Sequence, residues 1–235
     1  MARAAFLQEN RWQEERPGDR TRRSVDVGVG KSVSMEEKYM KRAGEHRGIS
    51  PGKHRSRGEV EPIRFAVART DLGWVLVAGT VRGLCVIDIG DSRRALIDAL
   101  KARFGRGEYF EGDPESVRWL RRVTESIVSP RRDLDLPLDI HGTSFQRRVW
   151  QELRRIPAGA TASYGEVARR IGKPGSARAV ARACATNSLP LAVPCHRVVR
   201  SDGELGGYRG GVERKRALLE REARSSSASP GRGSA

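Results

Sequence analysis

The sequence is poor in cysteine, lacks any long apolar run and has fewer acidic than basic residues. Its three cysteines, Cys85, Cys184 and Cys195, lie too far apart for a Cys-x-x-Cys metal site, and their odd number argues against a disulfide framework. No apolar run approaches the roughly 20 residues that cross a bilayer, and no signal-like stretch develops at the N-terminus. We therefore predict a cytoplasmic protein with free thiols, no metal site and no membrane association.

The basic residues are unevenly distributed along the chain. The 235 residues hold 45 Lys+Arg against 29 Asp+Glu, a formal net charge of +16. Residues 58–141 are nearly neutral, whereas residues 142–223 hold 16 basic and 7 acidic side chains. This excess favours a polyanionic partner, with nucleic acid ahead of a membrane surface. Because basic residues can also serve only solubility, charge alone leaves the partner open.

The hydrophobic pattern divides the chain into four parts. Residues 1–57 lack sustained periodicity and are predicted to be a mostly disordered basic arm, and residues 224–235 a disordered tail. Residues 58–140 are predicted to form a small α/β domain with a three-stranded antiparallel sheet, from the runs Ile63–Ala68, Trp74–Gly79 and Leu84–Gly90. Two helices follow, one capped by Asp91 or Ser92 and ending near Phe104, the other beginning at Pro114.

Residues 141–223 are predicted to be mainly helical. Ser163-x-x-Glu166 is a capping box that opens a short helix to Ile171, and a glycine turn leads into a second helix from Ser176 to about Thr186. Two short helices joined in this way indicate a helix-turn-helix. Arg178 and Arg182 share one face of the second helix, where small alanines, Ala177 among them, would allow a close approach to a groove. An alanine-rich packing helix with solvated arginines is the alternative.

Cys195 is the candidate nucleophile. It follows the apolar run Leu189–Val193 and precedes His196 and Arg197, and a neighbouring cation lowers the pKa of a thiol toward the reactive thiolate. On an extended backbone His196 would point away from Cys195, so we expect it to act through a bound water, with Glu222 of the last predicted helix orienting the imidazole. The alternatives are an inert buried cysteine, as expected for Cys85 and Cys184, and a solvated Glu222.

A longer motif surrounds this cysteine. The string PCHRVV at residues 194–199, with Tyr164, Arg178 and Asn187 before it and GGYRGG after it, resembles the signature of the O6-alkylguanine-DNA alkyltransferases. Similarity to the alkyltransferase half of the Ada-type proteins runs from about Ile63 to Ala223. Residues 39–58 weakly resemble the end of an AraC-type DNA-binding domain, and the Ada-type zinc-binding cysteine cluster is absent from the sequence.

The resemblance implies an α+β fold, in which a ribonuclease H-like N-terminal domain supports a winged-helix-like domain containing the helix-turn-helix. It implies DNA repair by direct transfer of an alkyl group from guanine O6, and from thymine O4, to Cys195. The target base would be flipped out through the minor groove of double-stranded DNA. Each protein molecule, a monomer, would react once and consume no cofactor.

The resemblance also implies roles for individual residues. Arg178 would enter the base stack, and Ala177, Arg182 and Tyr164 would contact DNA. Tyr164 would also donate to the leaving guanine, Asn187 would brace the turn before the active site, and His196 with Glu222 would deprotonate Cys195 through water. The substrate pocket would be lined by Pro194, Val198, Tyr208 and Arg209. In it the carbonyls of Cys195 and Val198 would bind the exocyclic amine, and the Arg209 amide would donate to O6.

Two other classes of protein fit part of the pattern. A DNA-binding regulator with an incidental cysteine would explain the helix-turn-helix and the AraC-like segment. A cysteine hydrolase would need a direct Cys–His contact and an oxyanion hole, for which the sequence supplies no recognisable residues. The side chain of Arg209 departs from the residues that several relatives carry there, and we expect it at the mouth of the pocket.

Overall fold

The computed structural model describes residues 61–130 and 134–227, which belong to one compact unit. The predicted N-terminal arm, with its AraC-like segment, and the last eight residues lie outside this part of the chain. None of the helices in the described ranges is long and apolar enough to cross a membrane.

The first half is built on a four-stranded sheet. Strands β1 (Ile63–Thr70), β2 (Gly73–Thr80) and β3 (Gly83–Gly90) form the predicted antiparallel meander. A fourth strand, β4 (Tyr109–Glu111), pairs in parallel with β1, so the strand order is β3-β2-β1-β4. Strand β4 was not predicted, because three residues are too few to display a period of two.

Both faces of this sheet are buried. Strand β2 points successive side chains in opposite directions, and each set packs into its own hydrophobic cluster. Leu76 and Ala78 face helix α1 (Arg93–Phe104), which Ser92 caps as predicted. Val75 and Val77 face the larger core, to which helix α2 (Pro114–Val128) contributes its own apolar side chains. Proline stands at the first turn of α2, where its missing N–H costs nothing.

An extended segment leads from the sheet to the second half of the molecule. Leu138 forms a parallel bridge with Leu84 of β3, whose amide donates to the Pro137 carbonyl at 2.8 Å. The second half then holds the helices α3 (Ser144–Leu153), α4 (Tyr164–Arg170), α5 (Ala177–Ala185) and α6 (Val212–Ser227), and the two-residue strands β5 (Ala162–Ser163) and β6 (Val198–Val199), which pair in parallel. Helix α6 continues to Ser227, four residues into the segment that was predicted to be a disordered tail.

Helices α4 and α5 form the predicted helix-turn-helix pair. The Ser163–Glu166 capping box is present in full, and the chain turns at Gly172, whose φ of 69° is readily adopted only by glycine. Helix α5 buries Val180, Ala183 and Cys184 against the core. Its opposite face is thereby left toward solvent.

Candidate active site

The segment that carries Cys195 is held by the side chain of Asn187, which is 3% exposed. The Asn187 amide donates to the Val193 carbonyl at 2.8 Å and to the sulfur of Cys195 at 3.2 Å. Its carbonyl oxygen accepts from the amide of Leu189 at 3.0 Å. The buried Asn187 side chain therefore uses both its N–H₂ group and its carbonyl oxygen to hold this loop and to fix the sulfur of Cys195 at its end.

Cys195, His196 and Arg197 form a single turn of 3-10 helix, so the condition of an extended backbone is not met. The Arg197 amide closes the turn on the Pro194 carbonyl at 3.0 Å. The expected separation of the two side chains is nevertheless present. Within the described residues, no hydrogen bond joins His196 to Cys195, and the ring turns instead to Glu222.

Glu222 is buried at the centre of a charged cluster. His196 Nε2 lies 2.8 Å from its Oε1, the Arg197 guanidinium reaches both carboxylate oxygens, and the Gly159 amide donates to Oε2 at 3.1 Å. Burial would raise the pKa of Glu222, but the hydrogen bonds from His196 and Arg197 outweigh it and lower the pKa to about 2. Glu222 is therefore a carboxylate at neutral pH.

The carboxylate fixes the state of the His196 ring. Burial lowers the pKa of His196, although the hydrogen bond with Glu222 opposes this, so the ring is neutral at neutral pH. With its proton on Nε2 facing Glu222, the ring keeps a lone pair on Nδ1. Nδ1 is buried and has no hydrogen-bond partner within the part of the chain that the structure describes. Nδ1 of His196 can therefore accept a proton.

The electrostatics at Cys195 differ from the sequence-based expectation. Cys195 is 6% exposed, and burial raises the pKa of its thiol; the Asn187 hydrogen bond and the charge of Lys215 partly oppose that rise. His196 and Arg197 were expected to lower this pKa, but both are directed at Glu222 and neither has that effect. Cys195 is therefore a protonated thiol at neutral pH, and its deprotonation must accompany the reaction.

Lys215 is a charged residue of the site that the sequence analysis missed. It is fully buried, and its Nζ donates to the Val198 carbonyl at 2.6 Å and to the Leu205 carbonyl. It thus ties β6, directly after the Cys195 turn, to the glycine-rich loop of residues 203–211, which we call the active-site loop. The available signal was helical spacing, since Lys215, Leu218 and Glu222 recur on one face of α6.

Tyr164 lies against the active-site loop. An added Cβ at Gly206 would lie only 3.0 Å from the Tyr164 hydroxyl oxygen, and Gly206 has a φ of 61°, so both the contact and the backbone favour glycine. Burial, together with the nearby Cys184 and Cys195, raises the pKa of Tyr164 to about 12. The hydroxyl thus keeps its proton at neutral pH and is able to donate it.

The predicted DNA-contacting residues occupy a separate surface. Arg178 and Arg182 are exposed on α5 and have no side-chain partner within the described ranges, and Ala177 is partly exposed at the start of the same helix. Both guanidinium groups are thus free to meet phosphate or bases.

The predicted pocket residues lie in two places. Pro194 lines a cavity of about 410 Å³ together with His196, Arg197 and Glu222. Tyr208 and Arg209 lie on the active-site loop, where the buried Tyr208 hydroxyl has no partner within the described residues. Val198 lies in β6 under the same loop, held through its carbonyl by Lys215. The Arg209 side chain turns toward Asp88 of β3.

Cys85 and Cys184 differ from Cys195 in their surroundings. Both are buried, and burial raises their thiol pKa values, that of Cys85 to about 12. Cys85 donates weakly to the Ala78 carbonyl within the sheet.

Comparison with known proteins identifies the family to which the chain belongs. The model of the 6-O-methylguanine DNA methyltransferase, DNA binding domain, matches residues 144–224. The inducible methylated-DNA–protein-cysteine methyltransferase of Bacillus subtilis is 36% identical over 154 residues, which are 64% of this chain and 85% of that protein. The chain belongs to the methylated-DNA–protein-cysteine methyltransferase family.

Other relatives of this chain are longer proteins or solved structures. The bifunctional transcriptional activator/DNA repair enzyme Ada of Escherichia coli is 42% identical over 219 residues, which cover 90% of this chain and 62% of Ada. The chain thus spans less than two thirds of that relative. The crystal structure of Mycobacterium tuberculosis OGT in complex with DNA is 34% identical with a TM-score of 0.60, covering 69% of this chain and 94% of that one. These neighbours confirm the α+β fold, a sheet followed by a helical domain.

Proposed function

We propose that this protein repairs DNA by moving an alkyl group from O6 of guanine to the sulfur of Cys195, as a monomer and once per molecule. The observation that carries the proposal is the arrangement around the sulfur. Asn187 donates to it at 3.2 Å, and the next residue is a neutral imidazole that a carboxylate holds at 2.8 Å, with its other nitrogen unpartnered among the residues that the structure describes. This set supplies a nucleophile and a base that Glu222 orients.

In the proposed reaction the thiol proton leaves through a bridging water to Nδ1 of His196. The Glu222 carboxylate stabilises the imidazolium that forms, as a buried anion at 2.8 Å can do. The sulfur then attacks the alkyl carbon, so that the S–C bond forms while the C–O bond of the lesion breaks. Tyr164 donates its proton to the leaving guanine and regains one from the His196 imidazolium, so that both side chains end neutral. The net proton transfer is from sulfur to guanine.

Substrate binding is proposed to use the exposed face of α5. An alkylated O6 is inaccessible inside stacked duplex, so the nucleotide must be extruded, at a cost of roughly a few kcal/mol. The unpartnered Arg178 is proposed to fill the vacated place in the stack, while Ala177 and Arg182 line the minor groove. The relative crystallised in complex with DNA supports DNA as the partner.

The substrate is proposed to bind beneath the active-site loop. The carbonyls of Cys195 and Val198 would accept from the exocyclic amine of guanine, and the Arg209 amide would donate to O6. The phenol of Tyr208 and the ring of Pro194 would border the alkyl group. Because Cys195 is only 6% exposed, the active-site loop has to open for the base to enter.

Stoichiometry tests the proposal. A duplex labelled in the methyl group of O6-methylguanine is incubated with a range of protein amounts, and the transferred label is counted. We expect one methyl group per protein molecule and no turnover, and Cys195→Ala should abolish transfer while DNA affinity stays within about twofold. A regulator with an incidental cysteine would bind the duplex without taking up label, and a hydrolase would release methanol repeatedly.

A further inference from the structure

Strand β3 contains an aspartate that neither the fold nor the proposed reaction accounts for. Asp88 interrupts the apolar run GLCVIDIG, although aspartate is depleted in strands. Its side chain is 13% exposed, and its carboxylate meets the guanidinium of Arg209 through two atom pairs, each at 3.4 Å. Arg209 belongs to the active-site loop, far away in sequence. A carboxylate on the sheet therefore contacts the loop that borders the nucleophile.

The charges around Asp88 confirm that it faces two cations. Burial raises the pKa of Asp88, and Arg209 from the loop and Arg103 from α1 oppose that rise. The Arg209 side chain is 40% exposed, so the loop side of the pair is open to water while the sheet side is buried. Asp88 is held in a strand, so Arg209 is the partner that moves in any rearrangement of the pair.

A second arginine joins the same loop to the sheet. Arg214 of α6 donates to the Gly210 carbonyl of the loop and to the Leu72 carbonyl of the β1–β2 turn, both at 2.7 Å, and pairs with Asp91 after β3. The end of the active-site loop is therefore attached to the sheet through main-chain acceptors. The Arg209–Asp88 pair adds to this attachment a contact made by a loop side chain.

We propose that Asp88 is a positioning residue for alkyl transfer: through Arg209 it holds the active-site loop over Cys195 and so restricts the size of the alkyl group that the site accepts. The inference rests on the proposed function. Arg209 follows Tyr208, which packs against the core cluster containing Cys195. Holding Arg209 places both its own amide and the Tyr208 ring beside the sulfur, which favours a small adduct and opposes a bulky one.

Loss of the pair has opposite consequences for the two kinds of substrate. A loosely held Arg209 amide donates less well to O6, which slows transfer from a small adduct, because misplacement of a donor by about 1 Å can cost up to a hundredfold in rate. The same freedom lets Tyr208 move aside, which makes room for a large adduct. Selectivity should therefore change in addition to the rate.

The experiment measures single-turnover rates at saturating protein on two duplexes that differ only in carrying O6-methylguanine or O6-benzylguanine. For Asp88→Asn we expect the methyl rate to fall about fivefold and the benzyl-to-methyl rate ratio to rise at least about threefold. Arg209→Gln should produce the same change from the exposed side, where the substitution cannot disrupt the sheet. The double variant should match the single variants, since one interaction is lost in all three.

Asp71→Asn is the matched control. Asp71 also joins the sheet half to an arginine of the second half, Arg221 of α6, but does not contact the active-site loop. Its rate ratio should equal that of the wild type, and Asp88→Glu, which keeps the charge, should stay within about twofold of the wild type. An unchanged ratio in both Asp88→Asn and Arg209→Gln would overturn the inference. If the wild-type protein transferred neither group, the proposed function itself would fail.

Discussion

The Glu222 carboxylate offers a quantitative test, because it is 3% exposed and accepts hydrogen bonds from three residues. Glu222→Gln keeps the shape and removes the charge, and it turns an amide N–H₂ or a weaker carbonyl toward Arg197. The ordinary pKa of 4.5 falls to about 2 in the folded protein, a difference equivalent to about 3 kcal/mol of stabilisation at neutral pH. Removing one partner of a buried ion pair typically costs about 3–5 kcal/mol, which agrees.

Urea unfolding at pH 7 measures this loss. We expect Glu222→Gln to lower the free energy of unfolding by about 3 kcal/mol with an unchanged m-value, and to slow methyl transfer because the His196 ring loses its orienting anion. Glu220→Gln, on the exposed side of the same helix, is the control and should stay within about 0.5 kcal/mol of the wild type. A loss below about 1 kcal/mol for Glu222→Gln would refute the reasoning from burial and charge.

Three further predictions follow from the same structure. Arg178→Ala should slow repair of duplex at least about tenfold yet leave reaction with free O6-benzylguanine nearly unchanged, because only a duplex requires extrusion of the base. Equal losses of rate on the two substrates would argue against insertion of Arg178 into the stack. Lys215→Met should lower the free energy of unfolding by about 2 kcal/mol, because two buried carbonyls lose their donor, and an unchanged urea midpoint would contradict this. The folded-state pKa values of Glu222 and His196 both lie below their ordinary values of 4.5 and 6.5. The two groups therefore stabilise the folded protein fully above those ordinary values, and this stabilisation is lost as the pH falls through 6.5 toward 2. The stability gap between wild type and the double variant Glu222→Gln/His196→Phe should therefore narrow over that range, and a constant gap would be incompatible with both depressed pKa values.

Local pattern was sufficient to predict most of the fold. Three strands and the helices followed from alternating or helical hydrophobic spacing together with caps such as Ser92 and Ser163, which fix helix starts through hydrogen bonds to nearby amides. Strand β4 was missed because it exists only through pairing with β1, a contact that its three residues do not encode locally. The end of α6 was placed too early because its last turns are polar.

Long-range contacts limited what could be predicted about the site. The motif located Cys195, Asn187 and His196, and the structure brings Glu222 to the imidazole. The thiolate expectation failed because adjacency in sequence did not reveal that Arg197 is turned toward Glu222 or that burial dominates at the sulfur. The Asp88–Arg209 pair spans 121 residues, and no local spacing rule indicates which strand residue meets which loop residue.

The central claim is that one buried sulfur, among three buried thiols, receives the alkyl group. Peptide mass spectrometry after incubation with an O6-methylguanine duplex tests it directly. We expect a single added methyl group on the peptide containing Cys195, with the Cys85 and Cys184 peptides unmodified. A methyl group on another residue, or an unmodified Cys195 peptide alongside repaired DNA, would contradict it.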